Sequence, residues 1–153
     1  MKKIAFVQAG LGAGGAEKII NLIAKHRFDK GDEVTVLAIY GSASESYFPY
    51  PHGINVITME DNSRAATTGL RGFFQQIRWL KQQVRTLEPD VVMSFLTRVT
   101  VISAFALHRM NIRLVVSERN NPLMQRPGKI WQLLIKRMFA RADHIVLQTK
   151  GSL

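Results

Sequence analysis

The 153-residue sequence contains no cysteine. Disulfide bonds and thiolate metal sites are therefore excluded, and such a chain fits a reducing compartment. The sequence also lacks an apolar run long enough to cross a bilayer or to form the core of a secretory signal. We accordingly expect a cytosolic protein.

Other common features are missing as well. The four histidines lie far apart in the sequence without the spacing of metal ligands, so we expect no metal site. The chain has no internal repeats, low-complexity tracts or linkers. A chain of this length forms one domain, which buries about 70% of the surface that the unfolded chain exposes.

Acidic residues are scarce, at 11 Asp and Glu against 21 Lys and Arg, which gives a net charge of +10. Residues 1–60 carry six basic and six acidic residues, whereas residues 61–153 carry fifteen basic and five acidic residues. The whole excess of positive charge therefore lies in residues 61–153. Such asymmetry indicates an acidic partner: nucleic acid, an anionic membrane surface or a phosphorylated substrate.

Apolar runs of strand length alternate with helical patterns along the chain. Strands are predicted at 4–7, 34–39, 54–59, 91–96, 112–117 and 144–148, and helices at 15–28, 68–87, 98–110 and 128–141. Near-continuous apolar strands between helices predict an α/β fold, a Rossmann-like doubly wound parallel sheet of about six strands with helices on both faces. Ligands of such sheets bind beyond the carboxyl ends of the strands.

The segment 4–18 runs from a strand through four glycines into a helix; these are Gly10, Gly12, Gly14 and Gly15. Glycine tolerates positive φ and lets the backbone approach another group closely. A helix N-terminus adds free N–H groups and the positive end of a dipole. A tight turn that needs glycine only for packing is the alternative. Because four glycines exceed what a turn needs, we favour a phosphate cradle of Gly12, Gly14 and Gly15.

The same glycines match the G-x-G-x-x-G pattern of dinucleotide-binding folds. That pattern also needs an acidic residue at the end of the second strand, where this sequence has Tyr40-Gly41-Ser42 and no acid before Glu45. The absence of this acidic residue argues against NAD binding. A P-loop is excluded because no Gly-Lys-Ser or Gly-Lys-Thr follows the glycines.

Five segments occur in a specific order: 14–18 (GGAEK), 30–34 (KGDEV), 89–92 (PDVV), 116–122 (VSERNNP) and 142–146 (ADHIV). Together they resemble the N-terminal half of family-4 retaining glycosyltransferases of the GT-B fold. The resemblance implies that residues 1–153 are the N-terminal Rossmann-like, acceptor-side domain of a two-domain enzyme. The C-terminal domain, which binds the nucleotide-sugar donor in that family, is absent from the sequence.

The implied activity of the full-length protein is that of a hexosyltransferase. It would transfer a sugar, with retention, from a nucleotide sugar to a lipid-linked or polysaccharide acceptor. The nucleotide sugar is a substrate, so we expect no cofactor. We expect this sequence alone to be inactive, because half of the cleft is missing.

The resemblance also implies roles for individual residues. Backbone N–H groups of Gly14 and Gly15 would meet the donor diphosphate, and Glu118 with Arg119 would be catalytic, where many family members have a histidine. The acceptor would be bound by Ser94, Thr97, Arg98, Asn120 and Asn121. The segment 117–122 has a simpler alternative as a strand-terminating turn, since Asn-Pro favours turns.

The predicted helix 68–87 has a basic flank and an apolar stripe for the core, which consists of Phe73, Ile77, Leu80, Val84 and Leu87. At about 100° per residue, the flank brings together Arg71, Arg78, Lys81, Arg85 and, among them, Phe74. A solvated basic face and a membrane-surface helix both fit this pattern. The second interpretation would place the protein peripherally on the inner face of the membrane.

Three functions from different classes follow. The first is the glycosyltransferase domain, with a nucleotide sugar, a glycan or lipid-linked acceptor and its own C-terminal domain as partners. The second is a nucleotide- or dinucleotide-binding Rossmann module. The third, nucleic-acid binding, is motivated by charge alone and lacks a recognition-helix or RNA-binding pattern, so we expect no nucleic acid.

Overall fold

The structure is a computed structural model that describes residues 1–59, 69–118, 133–136 and 140–147. Its strands are β1 (Lys3–Gln8), β2 (Glu33–Ala38), β3 (Asn55–Thr58), β4 (Val91–Phe95), β5 (Arg113–Glu118) and β6 (His144–Leu147). Its helices are α1 (Gly15–Asp29), α2 (Gly69–Leu87) and α3 (Thr97–Ala106), with a 3₁₀ turn at Ala43–Glu45. Residues 133–136 are also helical; the rest of the predicted helix 128–141, apart from 140–141, lies outside the described residues.

The strands form one sheet in the order β3-β2-β1-β4-β5-β6, and each neighbouring pair is parallel. This is the doubly wound arrangement, in which the strand order reverses between β1 and β4. The predicted Rossmann-like sheet of six parallel strands is confirmed.

A separate apolar core covers each face of the sheet. The side chains of β1 alternate between the two cores, because successive side chains of a strand point to opposite faces of the sheet. Ile4 and Phe6 pack with Ile20 and Ala24 of α1. Ala5 and Val7 pack in the other core, with side chains of α2 and α3. Helices therefore lie on both faces, as predicted.

Helix α1 ends at Asp29, just before the segment Lys30-Gly31-Asp32, in which Gly31 predicts a helix end. Gly31 has φ of +84°, its N–H donates to the Phe28 carbonyl at 2.8 Å, and the Asp32 N–H donates to the Arg27 carbonyl at 3.2 Å. This pair of bonds is a Schellman motif. It turns the chain sharply from α1 into β2.

Helix α3 is shorter than predicted and ends at Ala106 rather than at residue 110. Leu107 is the C-cap residue, and Arg109 beyond it takes a left-handed conformation with φ of +62°. The side chain of Arg141 donates to the carbonyls of Leu107 at 3.5 Å, Met110 at 3.0 Å and Ile112 at 2.9 Å. A cation near the last turn favours a helix C-terminus because it opposes the negative end of the dipole.

Three aspartates latch the amino-terminal edge of the sheet. Each stands just before a strand and accepts a hydrogen bond from a backbone N–H near the start of a neighbouring strand. The donors are Lys2 to Asp32 at 2.8 Å, Lys3 to Asp90 at 2.8 Å and Leu114 to Asp143 at 2.7 Å. These aspartates belong to the GDE, PDV and ADH segments, so those motifs serve the fold rather than the carboxyl edge where ligands bind.

Candidate functional site

The candidate site lies where the strand order reverses, at the carboxyl ends of β1 and β4. Val7 of β1 is in register with Ser94 of β4, so the two strands end at the same level. The loop 9–14 follows β1 and leads into α1, while β4 leads directly into α3. In open parallel sheets this switch point is the usual place for a ligand.

The glycine loop does not use positive φ. Among the described glycines, positive φ occurs at Gly31, Gly41 and Gly69, and at none of the glycines at 10, 12, 14 and 15. A left-handed backbone therefore does not explain the glycines of this loop. The reason is that the loop reaches α1 through extended backbone, with Gly14 at φ −72° and ψ 159°.

The start of α1 is free of side-chain capping. Gly14 is the N-cap residue and no side chain forms a cap hydrogen bond there, while the Gly14 carbonyl accepts the first helical bond from Lys18 at 3.0 Å. The N–H groups of the first turn have no partner within a helix. Such N–H groups and the helix dipole favour an anion, and the carboxylate of Glu17, in the first turn, already lies over this end of the helix.

The space around each glycine shows whether packing within the protein requires glycine at that position. No described atom lies within 4 Å of where a Cβ would stand at Gly12 or Gly15. At Gly14 a Cβ would collide with the carboxylate of Glu17, which folds back over the start of the helix. That carboxylate is the far end of a flexible side chain and can move aside, so internal packing requires glycine at none of these three positions. Close approach of an external group remains a reason for Gly12 and Gly15.

The turn from β4 into α3 is a single strained residue. Leu96 has φ of +70° and ψ of 143°, a conformation that costs a non-glycine residue about 1–3 kcal/mol. Its N–H donates to the Ser117 carbonyl of β5 at 3.2 Å, and its carbonyl accepts the N–H of Thr100 at 3.0 Å. This turn places the N-terminus of α3 directly above the end of β4.

A buried hydroxyl pair holds that turn from below. Ser94 and Thr100 are both fully buried. The Ser94 hydroxyl donates to Thr100 Oγ1 at 3.1 Å, and Thr100 Oγ1 donates to the Leu96 carbonyl at 3.0 Å. Ser94 thus lies beneath the candidate surface and supports it through Thr100.

The remaining predicted acceptor and catalytic residues are only partly described. Thr97 is half-buried and Arg98 is exposed, both in the first turn of α3. Glu118 ends β5 beside β4. Arg119, Asn120 and Asn121 lie outside the described residues. The described part of the site thus brings the glycine loop, the start of α3 and the end of β5 to one edge, and the roles of these residues stay predictions.

The loop after β2 lies against the glycine loop, a neighbourhood that the sequence does not reveal. Tyr40 N–H donates to the Ala9 carbonyl at 2.8 Å and Tyr47 N–H donates to the Leu11 carbonyl at 2.9 Å. Burial raises the pKa of the Tyr50 hydroxyl above its ordinary value, although the neighbouring side chains of Gln8 and Asn21 lower it. The phenol is therefore neutral at physiological pH.

The basic flank of α2 is at the surface. Arg71, Arg78 and Arg85 are exposed and Lys81 is half-buried. Phe74 is 65% exposed and Leu70, one turn earlier, is 79% exposed. In the described part of the chain these cations form no ion pair. The structure thus provides the surface that the membrane interpretation needs, and membrane binding itself stays a prediction.

The opposite edge of the sheet holds a concavity of about 900 Å³, lined in part by Asp90, Arg141 and Asp143. The side chains of these residues already form the structural hydrogen bonds of that edge. Within residues 1–59, 69–118, 133–136 and 140–147, no group of three or more metal-ligating side chains occurs, and no helix has the length and hydropathy of a membrane span.

The chain is similar to a curated protein from Campylobacter jejuni. A Campylobacter jejuni protein named GalNAc-α-(1→4)-GalNAc-α-(1→3)-diNAcBac-PP-undecaprenol α-1,4-N-acetyl-D-galactosaminyltransferase is 27% identical over 144 residues. The match covers 94% of this chain and 39% of the relative. The chain therefore spans about two fifths of the length of the curated relative that it matches.

Solved structures share the fold at low identity. Sucrose-phosphate synthase from Thermosynechococcus elongatus superposes with a TM-score of 0.73 at 9% identity, covering 95% of this chain and 42% of that chain. Anabaena Alr3699/HepE in complex with UDP gives 0.68 at 18% identity, covering 98% of this chain and 38% of that chain. The family model described as Glycosyltransferase Family 4 matches residues 13–151, and the chain belongs to that family.

Proposed function

We propose that this chain is the acceptor-side domain of a two-domain, retaining glycosyltransferase. The complete protein would transfer a hexose-type sugar from a nucleotide sugar to a glycan or lipid-linked acceptor. The family match over residues 13–151 carries the proposal. The relative whose name specifies a lipid-linked glycan acceptor supports the acceptor class, and the UDP complex of a structure with the same fold is consistent with a nucleotide-sugar donor.

The proposed chemistry uses the N-terminus of α1. During transfer, the anomeric carbon exchanges its bond to a diphosphate oxygen for a bond to an acceptor hydroxyl oxygen. Negative charge accumulates on the leaving diphosphate, which takes up the proton of the acceptor hydroxyl. No side-chain cap hydrogen bond forms at Gly14, and the first backbone N–H groups of a helix have no partner within it. Preorganised donors of this kind stabilise developing charge because they need no reorganisation during the reaction. A second domain would supply the binding site for the nucleotide.

Peripheral membrane attachment is part of the same proposal. The exposed Arg71, Arg78 and Arg85 would meet anionic headgroups, while Phe74 and Leu70 would enter the interface. Charge complementarity favours an anionic lipid surface over a neutral one. A lipid-linked acceptor would then be reached from the surface that holds the enzyme.

The proposal is tested with the protein produced from the complete gene. It is incubated with a panel of UDP- and GDP-sugars and glycan or undecaprenyl-diphosphate-linked acceptors, and product formation and the anomeric configuration are followed by NMR. We expect transfer from an α-linked donor to give an α-linked product. An inverted product would contradict the retaining mechanism, and the absence of transfer across the panel would contradict glycosyl transfer.

Gly15→Val tests the cradle in the same assay. A branched side chain at this position blocks close approach of a phosphate, and no described atom would clash with its Cβ. Removal of one such donor costs about 2.7–4 kcal/mol, so kcat/KM should fall roughly 100- to 1,000-fold. Unchanged kinetics would mean that the glycine does not serve a ligand.

Residues 1–153 alone should show no turnover in this assay. Turnover by this part of the protein would contradict the two-domain proposal.

A further inference from the structure

We propose that Tyr47 is a stacking platform for a pyranose ring beside the glycine loop. The proposal rests on the proposed function, since it names a sugar-binding residue of the same site. Tyr47 lies in the connection 39–54 between β2 and β3, at the carboxyl edge of the sheet. No role in sugar binding follows from its sequence neighbours, and the structure alone brings it to the site.

Backbone contacts fix the position of Tyr47 next to the glycines. Its N–H donates to the carbonyl of Leu11 at 2.9 Å, and Leu11 stands between Gly10 and Gly12. At the start of the connection, just after β2, the Tyr40 N–H donates to the Ala9 carbonyl at 2.8 Å. Gly41 has φ of +97°, and a Cβ there would be 3.8 Å from Leu11. The segment 40–47 therefore lies along the glycine loop and is hydrogen-bonded to it at both ends.

A second set of contacts fixes the residues after Tyr47 to α1. Asn21, which is 4% exposed, donates from Nδ2 to the carbonyls of Phe48 at 3.3 Å and Pro49 at 3.1 Å. The hydroxyl of Ser46 donates to the Phe48 carbonyl at 2.9 Å. Tyr50 packs in the core on the α1 face. The loop is consequently held on both sides of Tyr47, which reduces the entropy lost when a ligand binds.

The Tyr47 side chain remains at the surface despite these contacts. It is 66% exposed. Its ring meets the ring of Phe48 edge to face, with centroids 4.9 Å apart and planes at 79°. Core packing does not account for an aromatic ring held in this way. Tyrosine provides a large, rigid and amphipathic contact at low entropy cost, which suits it to binding.

The charge of the loop identifies the ligand class. Between residues 40 and 53 the only Asp, Glu, Lys or Arg is Glu45, so this surface does not attract a phosphate. A pyranose offers C–H groups to the negative face of an aromatic ring. The exposed Ser44 and Glu45 of the 3₁₀ turn supply polar groups for sugar hydroxyls. A neutral sugar, either the acceptor's or the one carried by the donor, fits this surface.

Saturation-transfer NMR titrations of the protein produced from the complete gene test the platform. The probes are neutral α-linked disaccharides of N-acetylgalactosamine, galactose and glucose, together with UDP-N-acetylgalactosamine and UDP. Tyr47→Ala should weaken binding of the sugar in contact about tenfold, which corresponds to about 1.4 kcal/mol. Tyr47→Phe keeps the ring and should bind within about twofold of the wild type, since 0.4 kcal/mol is roughly a factor of two.

Leu22→Ala is the matched control, because Leu22 is also a large exposed side chain, at 54%, in the middle of α1. It should bind like the wild type. Weaker disaccharide binding by Tyr47→Ala assigns the platform to the acceptor, whereas weaker binding of UDP-N-acetylgalactosamine without a change for UDP assigns it to the donor sugar. Either result supports the proposal.

The proposal would be overturned by equal sugar binding of Tyr47→Ala and wild type, by a loss of sugar binding in Tyr47→Phe equal to that in Tyr47→Ala, or by an equal loss of UDP binding in Tyr47→Ala. The first leaves glycosyl transfer untouched, since transfer by the complete protein is measured separately. No sugar binding by the wild type would also overturn the platform, and the transfer assay would again decide the proposed function independently.

Discussion

Two physical classes can be distinguished among the described glycines. Gly31 has φ of +84° and ends α1, so the backbone itself requires glycine there. Gly12 and Gly15 have neither positive φ nor a neighbouring atom in the way of a Cβ. The fold therefore needs the first glycine, whereas the other two are open to a functional explanation.

Alanine substitutions should separate the two classes by their effect on stability. Gly31→Ala places a Cβ in the left-handed region and should lower the free energy of unfolding by about 1–2 kcal/mol. Gly15→Ala should leave it unchanged or raise it by about 0.5–1 kcal/mol, since alanine is favoured over glycine in a helix. Urea unfolding of both variants, followed by circular dichroism, measures the difference.

Gly12→Ala tests the other glycine that has free space around it, and it should leave the free energy of unfolding unchanged. If Gly15→Ala lost as much stability as Gly31→Ala, the loop glycine would be a requirement of the fold. The cradle would then lose its structural support. Equal stability of all three variants would instead mean that α1 tolerates a different C-terminal turn.

At the scale of secondary-structure elements, α2 has two faces with separate roles. Leu80 and Val84 are fully buried in the core, as the sequence predicts. The fully buried Gln76 was not part of the predicted stripe, and its Nε2 donates to the Tyr40 hydroxyl at 2.9 Å. This bond joins α2 to the end of β2. The opposite face exposes Phe74 among cations, which the fold does not explain.

The basic flank should bind anionic vesicles weakly and in a salt-dependent manner. Each basic residue near an anionic surface contributes about 1 kcal/mol, so Arg71, Arg78, Lys81 and Arg85 together contribute roughly 4 kcal/mol. This corresponds to a dissociation constant of about 1 mM, so insertion of Phe74 is needed for useful attachment. Co-sedimentation with anionic and neutral vesicles at low and high salt measures binding.

A variant with these four residues changed to glutamine should lose binding, and Phe74→Ser should weaken it. The charge-matched control changes Lys2, Lys18, Lys25 and Lys30 to glutamine, which removes the same charge from the balanced first part of the chain. It should bind like the wild type. Equal loss in both variants, or equal binding to neutral vesicles, would mean that α2 carries only a solvated basic face.

At the scale of the whole molecule, the aspartate latches link stability to pH. The hydrogen bond from the Lys2 N–H, followed by the charge of Arg27, holds the pKa of Asp32 below its ordinary value. The Leu114 N–H and then Arg141 do the same for the pKa of Asp143. A lowered pKa in the folded state favours the ionised form. The contribution is therefore complete above the unfolded pKa and is lost as the pH falls below it.

The free energy of unfolding should consequently fall as the pH drops below about 4, the ordinary pKa of aspartate. Asp32→Asn combined with Asp143→Asn keeps an acceptor oxygen at each position but removes the charge. Its stability should be lower than that of the wild type at pH 7 and should depend less on pH in the acid range. Urea unfolding between pH 3 and pH 7 measures both profiles.

Asp29→Asn is the control for this profile, because Asp29 is an exposed aspartate at the end of α1. Its variant should follow the wild-type curve. Parallel curves for the wild type and the double variant would show that the latches contribute no charge-dependent stability. The low-pH loss would then have to originate at other carboxyl groups.

The sequence by itself determined the kinds of element and their order. Strand and helix positions follow from local apolar periodicity, and the end of α1 follows from Gly31, because these signals arise among residues a few positions apart. The family segments pointed to the correct family, which matches residues 13–151. The candidate site could be placed at the carboxyl edge for the same reason, since parallel strands bring their ends together.

The tertiary structure alone decided what individual residues do, because their partners are distant in sequence. Lys3 and Asp90 are 87 positions apart, and only the pairing of β1 with β4 brings them together. Strain at Leu96 depends on a carbonyl from β5, and the exposed ring of Tyr47 depends on hydrogen bonds to the glycine loop. Periodicity does not encode such contacts, which arise only when the sheet assembles.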